Sequence, residues 1–107
     1  MSLDIWIEDE NGVELFTQNI THNLGKMAVE AGIYKCLWRH DENGIETAGQ
    51  LIEPLSNAVR DMTARPEHYQ QFDSPNGWGL YIHFLPWLEK LLIACIKWPN
   101  AKIVVSR

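Results

Sequence analysis

Asn19, Thr21, His22 and Asn23 crowd four hydrogen-bonding side chains into five consecutive positions, and nothing else in the chain stands nearer to a chemical signature. They fall where a β-hairpin gives way to a helix. At such a junction backbone N–H groups are free and the positive end of the helix dipole favours an anion. His22 would then act as an acid, a base or an anchoring donor. The same residues also read as structure, with Thr21 (or Asn19) capping the helix and His22 and Asn23 in its first turn.

Two further groups could complete a pocket. Trp38 and Arg39 place a guanidinium beside an indole, an arrangement that binds carboxylate or phosphate while stacking. Read structurally, Trp38 is buried and Arg39 pairs with one of the many carboxylates. Asn76-Gly77-Trp78-Gly79 sets two glycines around a tryptophan, which allows close backbone approach or left-handed conformations. That loop either presents Trp78 to a ligand or anchors the entry to the next helix. The pocket reading therefore takes Asn19, Thr21, His22, Asn23, Trp38, Arg39, Asn76 and Trp78 as one set. It requires Arg39 and the loop at 76–79 to arrive beside His22.

Other chemistry is thinly represented. No Gly-x-Ser-x-Gly elbow and no phosphate-binding glycine pattern occurs, and neither cysteine has an adjacent histidine. His40-Asp41-Glu42 has the composition of metal ligands but no distant partners, and no CxxC pattern is present. Tyr81 and His83 stand at the head of a long apolar helix, where a lone histidine is usually a hydrogen-bonded boundary residue. No metal and no cofactor is expected, and whether the chain catalyses a reaction stays open.

The elements that must position these residues follow from periodicity. Residues 3–18 read as a hairpin: Leu3, Ile5 and Ile7 alternate with Asp4, Trp6 and Glu8, and Asp9-Glu10-Asn11-Gly12 makes the turn. A three-residue loop with Gly12 left-handed sets Leu15 beside Ile7 and Phe16 beside Trp6, which keeps one face apolar. Trp6 and Phe16 then share the outer face with Val104 of a C-terminal strand, Lys102 to Ser106. Ringed by Glu8, Glu14 and Lys102, these three are the candidate interface, through which the chain would self-associate or meet a protein partner.

Between the strands lie helices. Residues 21–31 form the first, ended by Gly32. Tyr34 to Trp38 makes one further turn. Thr47 and Gln50 have capping-box spacing ahead of an apolar stripe running from Ala48 to Met62, with Pro54 inside it to kink or split it. Pro66 opens a short helix carrying Tyr69 and Phe72. Leu80 to Trp98 is apolar on nearly every side, as a central core helix is. Its charges and Pro86 argue against a membrane span. The fold class is α+β: one domain over residues 1–107, a three-stranded antiparallel sheet packed on one face by three to four helices.

Composition sets the outer bounds. The chain has 107 residues, 46% hydrophobic and 21% charged, as a single globular domain has. Net charge is −5, residues 1–25 carry no Lys or Arg, and the basic residues beyond them form no cluster in sequence. Nucleic acid and anionic membrane surfaces are therefore poor partners. Cys36 and Cys95, far apart and in apolar surroundings, read as thiols in a reducing cytoplasm, and no signal peptide is seen.

Asn19-Ile20-Thr21-His22-Asn23-Leu24, Leu37-Trp38-Arg39 and Asn76-Gly77-Trp78-Gly79, followed by an aromatic-rich helix, together resemble a family of small bacterial and phage-encoded proteins. The resemblance spans most of the chain. That family has no assigned biochemical activity, so the resemblance implies no catalytic residues. A proline often follows the Trp-Arg pair in the family, and His40 stands there here. The functional expectation is a cytoplasmic binding or interaction module, self-associating through the outer sheet face. The alternative is a small-molecule or peptide-end binding protein, possibly an enzyme, with a pocket around His22, Arg39 and Asn76.

Overall fold

The computed structural model describes residues 2–107 and is α+β. Strands β1 (Ser2–Glu8), β2 (Glu14–Thr21) and β3 (Lys102–Ser106) form an antiparallel sheet in the order β2-β1-β3. The central strand shows why. Leu3, Ile5 and Ile7 are fully buried, while Asp4, Trp6 and Glu8 between them stay partly exposed, so one face takes the core and the other faces outward. The chain's two ends pair as expected, with Ile5 opposite Val105 and Ile7 opposite Ile103.

The hairpin turn has the expected loop but not the expected register. The Asp9 N–H donates to the Val13 carbonyl at 2.9 Å, and Gly12 takes φ +78°, which gives the three-residue loop. The Asp9 carboxylate accepts the N–H groups of Asn11 and Val13 and fixes the turn. Glu8 then pairs with Glu14, but the ladder shifts by one residue, and Ile7 lies opposite Phe16. Leu15 is the extra residue of a β-bulge. The expected pairs Leu15–Ile7 and Phe16–Trp6 are thus corrected: Trp6 faces Thr17, and Phe16 turns to the core side. Without the bulge, β2 would offer Leu15, Thr17, Asn19 and Thr21 to the core. With it, the inward set is Phe16, Gln18 and Ile20, which buries two large apolar side chains instead of one.

Among the described residues five α-helices supply most of the rest of the core. A 3₁₀ turn at His22–Leu24 leads into α1 (Gly25–Glu30), and Gly32 closes it at φ +74°. Helix α2 (Tyr34–Trp38) is the single turn expected. The stripe helix begins as a 3₁₀ turn, Ala48–Leu51, and becomes α3 (Ile52–Ala64). Pro54 is the third residue of α3, where a first-turn N–H has no acceptor within the α-helix, so the expected split falls just before it. Pro66 is the first residue of α4 (Pro66–Gln70). Helix α5 (Tyr81–Lys97) packs Phe84, Leu88, Leu91 and Cys95 into the core beside Leu55, Ala58 and Met62 of α3. Two bonds tie α5 to β2: the Gln18 amide donates to the Trp87 carbonyl at 2.8 Å, and the Trp87 indole donates to the Asn19 carbonyl at 2.9 Å. Among the described residues no helix is long and apolar enough to cross a membrane.

Candidate functional site

The junction between β2 and α1 is a wall with a cleft on each side. Thr21 lies in extended backbone, and its hydroxyl accepts the Asn23 N–H at 3.2 Å, the cap that the sequence suggests. That cap turns the chain and sends His22 and Asn23 out between the two clefts, both of which they line.

The first cleft, of about 810 Å³, is cationic over an aromatic floor. Tyr34 and Trp38, one helical turn apart on α2, stack with ring centroids 5.4 Å apart and planes 10° from parallel. Trp38 is only 3% exposed, so its indole N–H needs a partner. It finds one in Nδ1 of His22, at 2.9 Å. Accepting that bond fixes the imidazole as the tautomer protonated on Nε2, so that Nε2–H is the donor His22 has left. Lys26, Arg39 and Arg107 supply the charge. Arg107 donates to the Trp38 carbonyl at 2.8 Å, which pins its guanidinium over the end of α2. Arg39 is held beside the Tyr34 hydroxyl and Glu42, and both keep its guanidinium more firmly protonated than usual. Lys26 makes no ion pair among the described residues. Among the described residues Asp73 is the one acidic side chain lining the cleft, and it already accepts the Tyr81 N–H at 2.7 Å.

Glu42 stands behind this cation set, 3.3 Å from Arg39 and 3.6 Å from Arg107, with Asp41 at 3.5 Å from Arg107. These pairs are solvent-exposed, and such pairs contribute about 0–1 kcal/mol. A guanidinium has five N–H donors, so pairing with Glu42 leaves most of Arg39 free for a ligand.

The second cleft, of about 1120 Å³, contains no Lys, Arg, Asp or Glu. Asn19, Thr21, His83 and Trp78 stand around Ile20, Leu24 and Leu80. Trp78 is 71% exposed, yet its loop is tightly built. The Asn76 side-chain oxygen accepts the Ser74 hydroxyl at 2.6 Å and the Trp78 N–H at 2.9 Å. The Asn23 amide donates to the Trp78 carbonyl at 2.8 Å, and the Ser74 N–H to the Gly79 carbonyl at 2.9 Å. Gly79 has φ +118°, and a Cβ there would sit 3.0 Å from Asn23 Cβ, so only glycine lets the loop approach so closely.

The sequence set is therefore brought together in part. His22, Asn23, Trp38 and Arg39 share the first cleft, and Asn19, Thr21, His22, Asn23 and Trp78 share the second. Asn76 lines neither of these clefts, and its side chain holds the loop at 74–78. Lys26, Tyr34 and Arg107 were not among the expected residues. Lys26 follows His22, and Trp38 follows Tyr34, by one helical turn, a signal the sequence does carry. Arg107 arrives from the far end of the chain and gives no local signal.

The outer sheet face is less apolar than expected. Trp6 and Val104 pair there, but Phe16 has gone to the other side. The Trp6 indole donates to Glu8 at 2.8 Å, which ties it into a polar surround. His40 lies in a third cleft with Asp41, Glu46 and Lys102, and burial lowers its pKa. Among the described residues no three His, Cys, Asp or Glu side chains converge to hold a metal. Comparison of the chain with protein-family models, curated proteins and solved structures finds no match.

Proposed function

We propose that this protein binds a small anionic ligand with a flat apolar body, held in the cleft between α1, α2 and the loop at 71–75. The observation that carries this reading is the meeting of three of the chain's nine Lys and Arg residues, in a chain of net charge −5, over the Tyr34–Trp38 stack. Anion and ring are matched separately. Lys26, Arg39 and Arg107 offer a carboxylate, phosphate or sulfonate charge-assisted hydrogen bonds, and Tyr34, backed by the buried Trp38 stacked on it, and Phe72 offer a ring or short aliphatic body a surface. The Nε2–H of His22 adds a further donor. A peptide C-terminus with an aromatic last residue has the same chemistry.

Two features bear on what the site is not asked to do. Neither thiol is shifted toward the thiolate: burial pushes the Cys95 thiol up to about 12 and raises that of Cys36. Both cysteines stand free, which suits a reducing compartment. His22 has no carboxylate on its second nitrogen, since Nδ1 is taken by Trp38. Binding rather than acid–base catalysis is the reading this geometry favours.

Titration calorimetry with phenyl phosphate and benzoate tests it, with benzylamine and benzyl alcohol as the cationic and neutral counterparts. At about 0.4 kcal/mol per heavy atom, a ligand of this size binds with a Kd on the order of a millimolar or tighter. The anions bind and the counterparts do not, and Lys26→Ala and Arg39→Ala each weaken binding by about tenfold. Equal binding of all four probes, or no effect of either substitution, would overturn the proposal.

A further inference from the structure

We infer that α5 is the surface through which two copies of this chain pair, antiparallel, about a two-fold axis passing between Glu89 and Lys90. Ile82, Pro86, Glu89, Ile93 and Ile96 recur at alternating spacings of four and three and so line one face of α5. That face is outside: Ile82 is 68%, Ile93 66% and Ile96 57% exposed. The opposite face, Phe84, Leu88, Leu91 and Cys95, already fills the core. Helix α3 shows what an outer face in this molecule otherwise looks like, since it turns Glu53, Asn57, Arg60 and Thr63 to solvent. Of the six large apolar side chains most exposed among the described residues, three are these isoleucines. Isoleucine repeated along a solvent-facing stripe is the signature of a helix that meets another helix.

The charges choose the occupant and its direction. Parallel pairing in register sets Glu89 against Glu89, and so does antiparallel pairing centred on residue 89; like charges in contact at the middle of an interface oppose both. An antiparallel pair centred between residues 89 and 90 places Glu89 of one copy against Lys90 of the other, twice by symmetry. The same register sets Ile93 on Pro86, Ile82 along the aliphatic stem of Lys97, and Ile96 against the ring of His83. Each apolar residue of the stripe then has an apolar surface opposite, and each central carboxylate has an ammonium. The face is complementary to a second copy of itself. The outer sheet face offers only Trp6 and Val104 among Asp4, Glu8 and Lys102, and has no comparable self-match.

The experiment is light scattering on the size-separated protein at high micromolar concentration, with circular dichroism to confirm folding. The wild-type chain runs at twice its mass of 12.4 kDa. Ile93→Glu runs at 12.4 kDa with an unchanged helical spectrum. Glu89→Lys and Lys90→Glu each weaken the dimer by about tenfold, and the double exchange restores it. A monomeric wild type, or a dimer unmoved by Ile93→Glu, overturns the proposal. So does a dimer broken by Trp6→Glu and not by Ile93→Glu, which would place the contact on the sheet. Failure of the double exchange to restore pairing rejects the antiparallel arrangement. Ile93 touches neither of the clefts flanking His22, so these outcomes are independent of anion binding.

Discussion

On one side of the His22–Asn23 wall stand Lys26, Arg39 and Arg107 over stacked rings; on the other stand Asn19, Thr21 and His83 around an exposed Trp78, with no Lys, Arg, Asp or Glu. The two clefts also differ in how their tryptophans are used. Trp38 is buried, spends its N–H on His22 and serves as a floor. Trp78 makes its hydrogen bonds through its backbone and leaves its side chain largely exposed. One aromatic supports a cation set, and the other is offered from a loop whose side chains work to keep it still. The same residue type in two adjacent motifs thus does two jobs, and charge, not aromatic content, tells the clefts apart.

The largest expected effect breaks the cationic side outright. Lys26→Ala combined with Arg39→Ala lowers phenyl phosphate affinity by about a hundredfold if the two act independently, and Trp78→Ala leaves it unchanged. Calorimetry on both variants checks this, and a loss in Trp78→Ala would merge the clefts into one site.

Gly79→Ala tests how tightly the neutral side is built. An alanine at φ +118° with its Cβ 3.0 Å from Asn23 Cβ is strained, at about 1–3 kcal/mol, and the urea midpoint falls accordingly. Hydrogen exchange should quicken at 76–79 and not at 34–38.

Trp38→Phe keeps an aromatic floor but removes the donor to His22, at about 1 kcal/mol of stability. Anion affinity then falls only modestly, because the charges remain. A loss as large as that of Arg39→Ala would mean that the His22–Trp38 bond itself positions the ligand.

The smallest effect lies outside both clefts and serves as their control. Arg65 and the Tyr69 hydroxyl hold the Asp61 carboxyl down from 3.8 to about 2. A carboxyl depressed by folding stabilises the protein above its unfolded value, and that contribution is lost as the pH falls through about 2. Asp61→Asn should flatten the stability curve between those pH values and leave ligand binding at neutral pH untouched. A chemical-denaturation series in acid checks it.

Local devices were legible in the sequence because each spans a few residues. Thr21 caps its turn, Gly12 and Gly32 take the left-handed positions, and Tyr34–Trp38 forms its single helical turn. The order of the sheet was legible because β3 had no other partner. The register of β2 was not, because a bulge moves every following side chain to the other face for the insertion of one residue. A comparison of both parities along β2 carries the missing signal: Phe16 and Ile20 share one and Leu15 stands alone on the other. The site was legible as a list and not as a place. Asn23 and the loop at 76–79 meet across 55 residues, and Arg107 reaches Trp38 across 69, distances over which sequence spacing says nothing.

The five tryptophans provide the most direct measurement, because each indole N–H gives its own signal in a nitrogen-edited NMR spectrum. Titrating phenyl phosphate into the labelled protein and following the indoles of Trp38 and Trp78 compares the two clefts in one experiment. The Trp38 N–H, bonded to His22 at the floor of the cationic cleft, should shift with ligand and saturate, while that of Trp78 stays in place. A saturating shift at Trp78 with Trp38 unmoved would contradict this expectation.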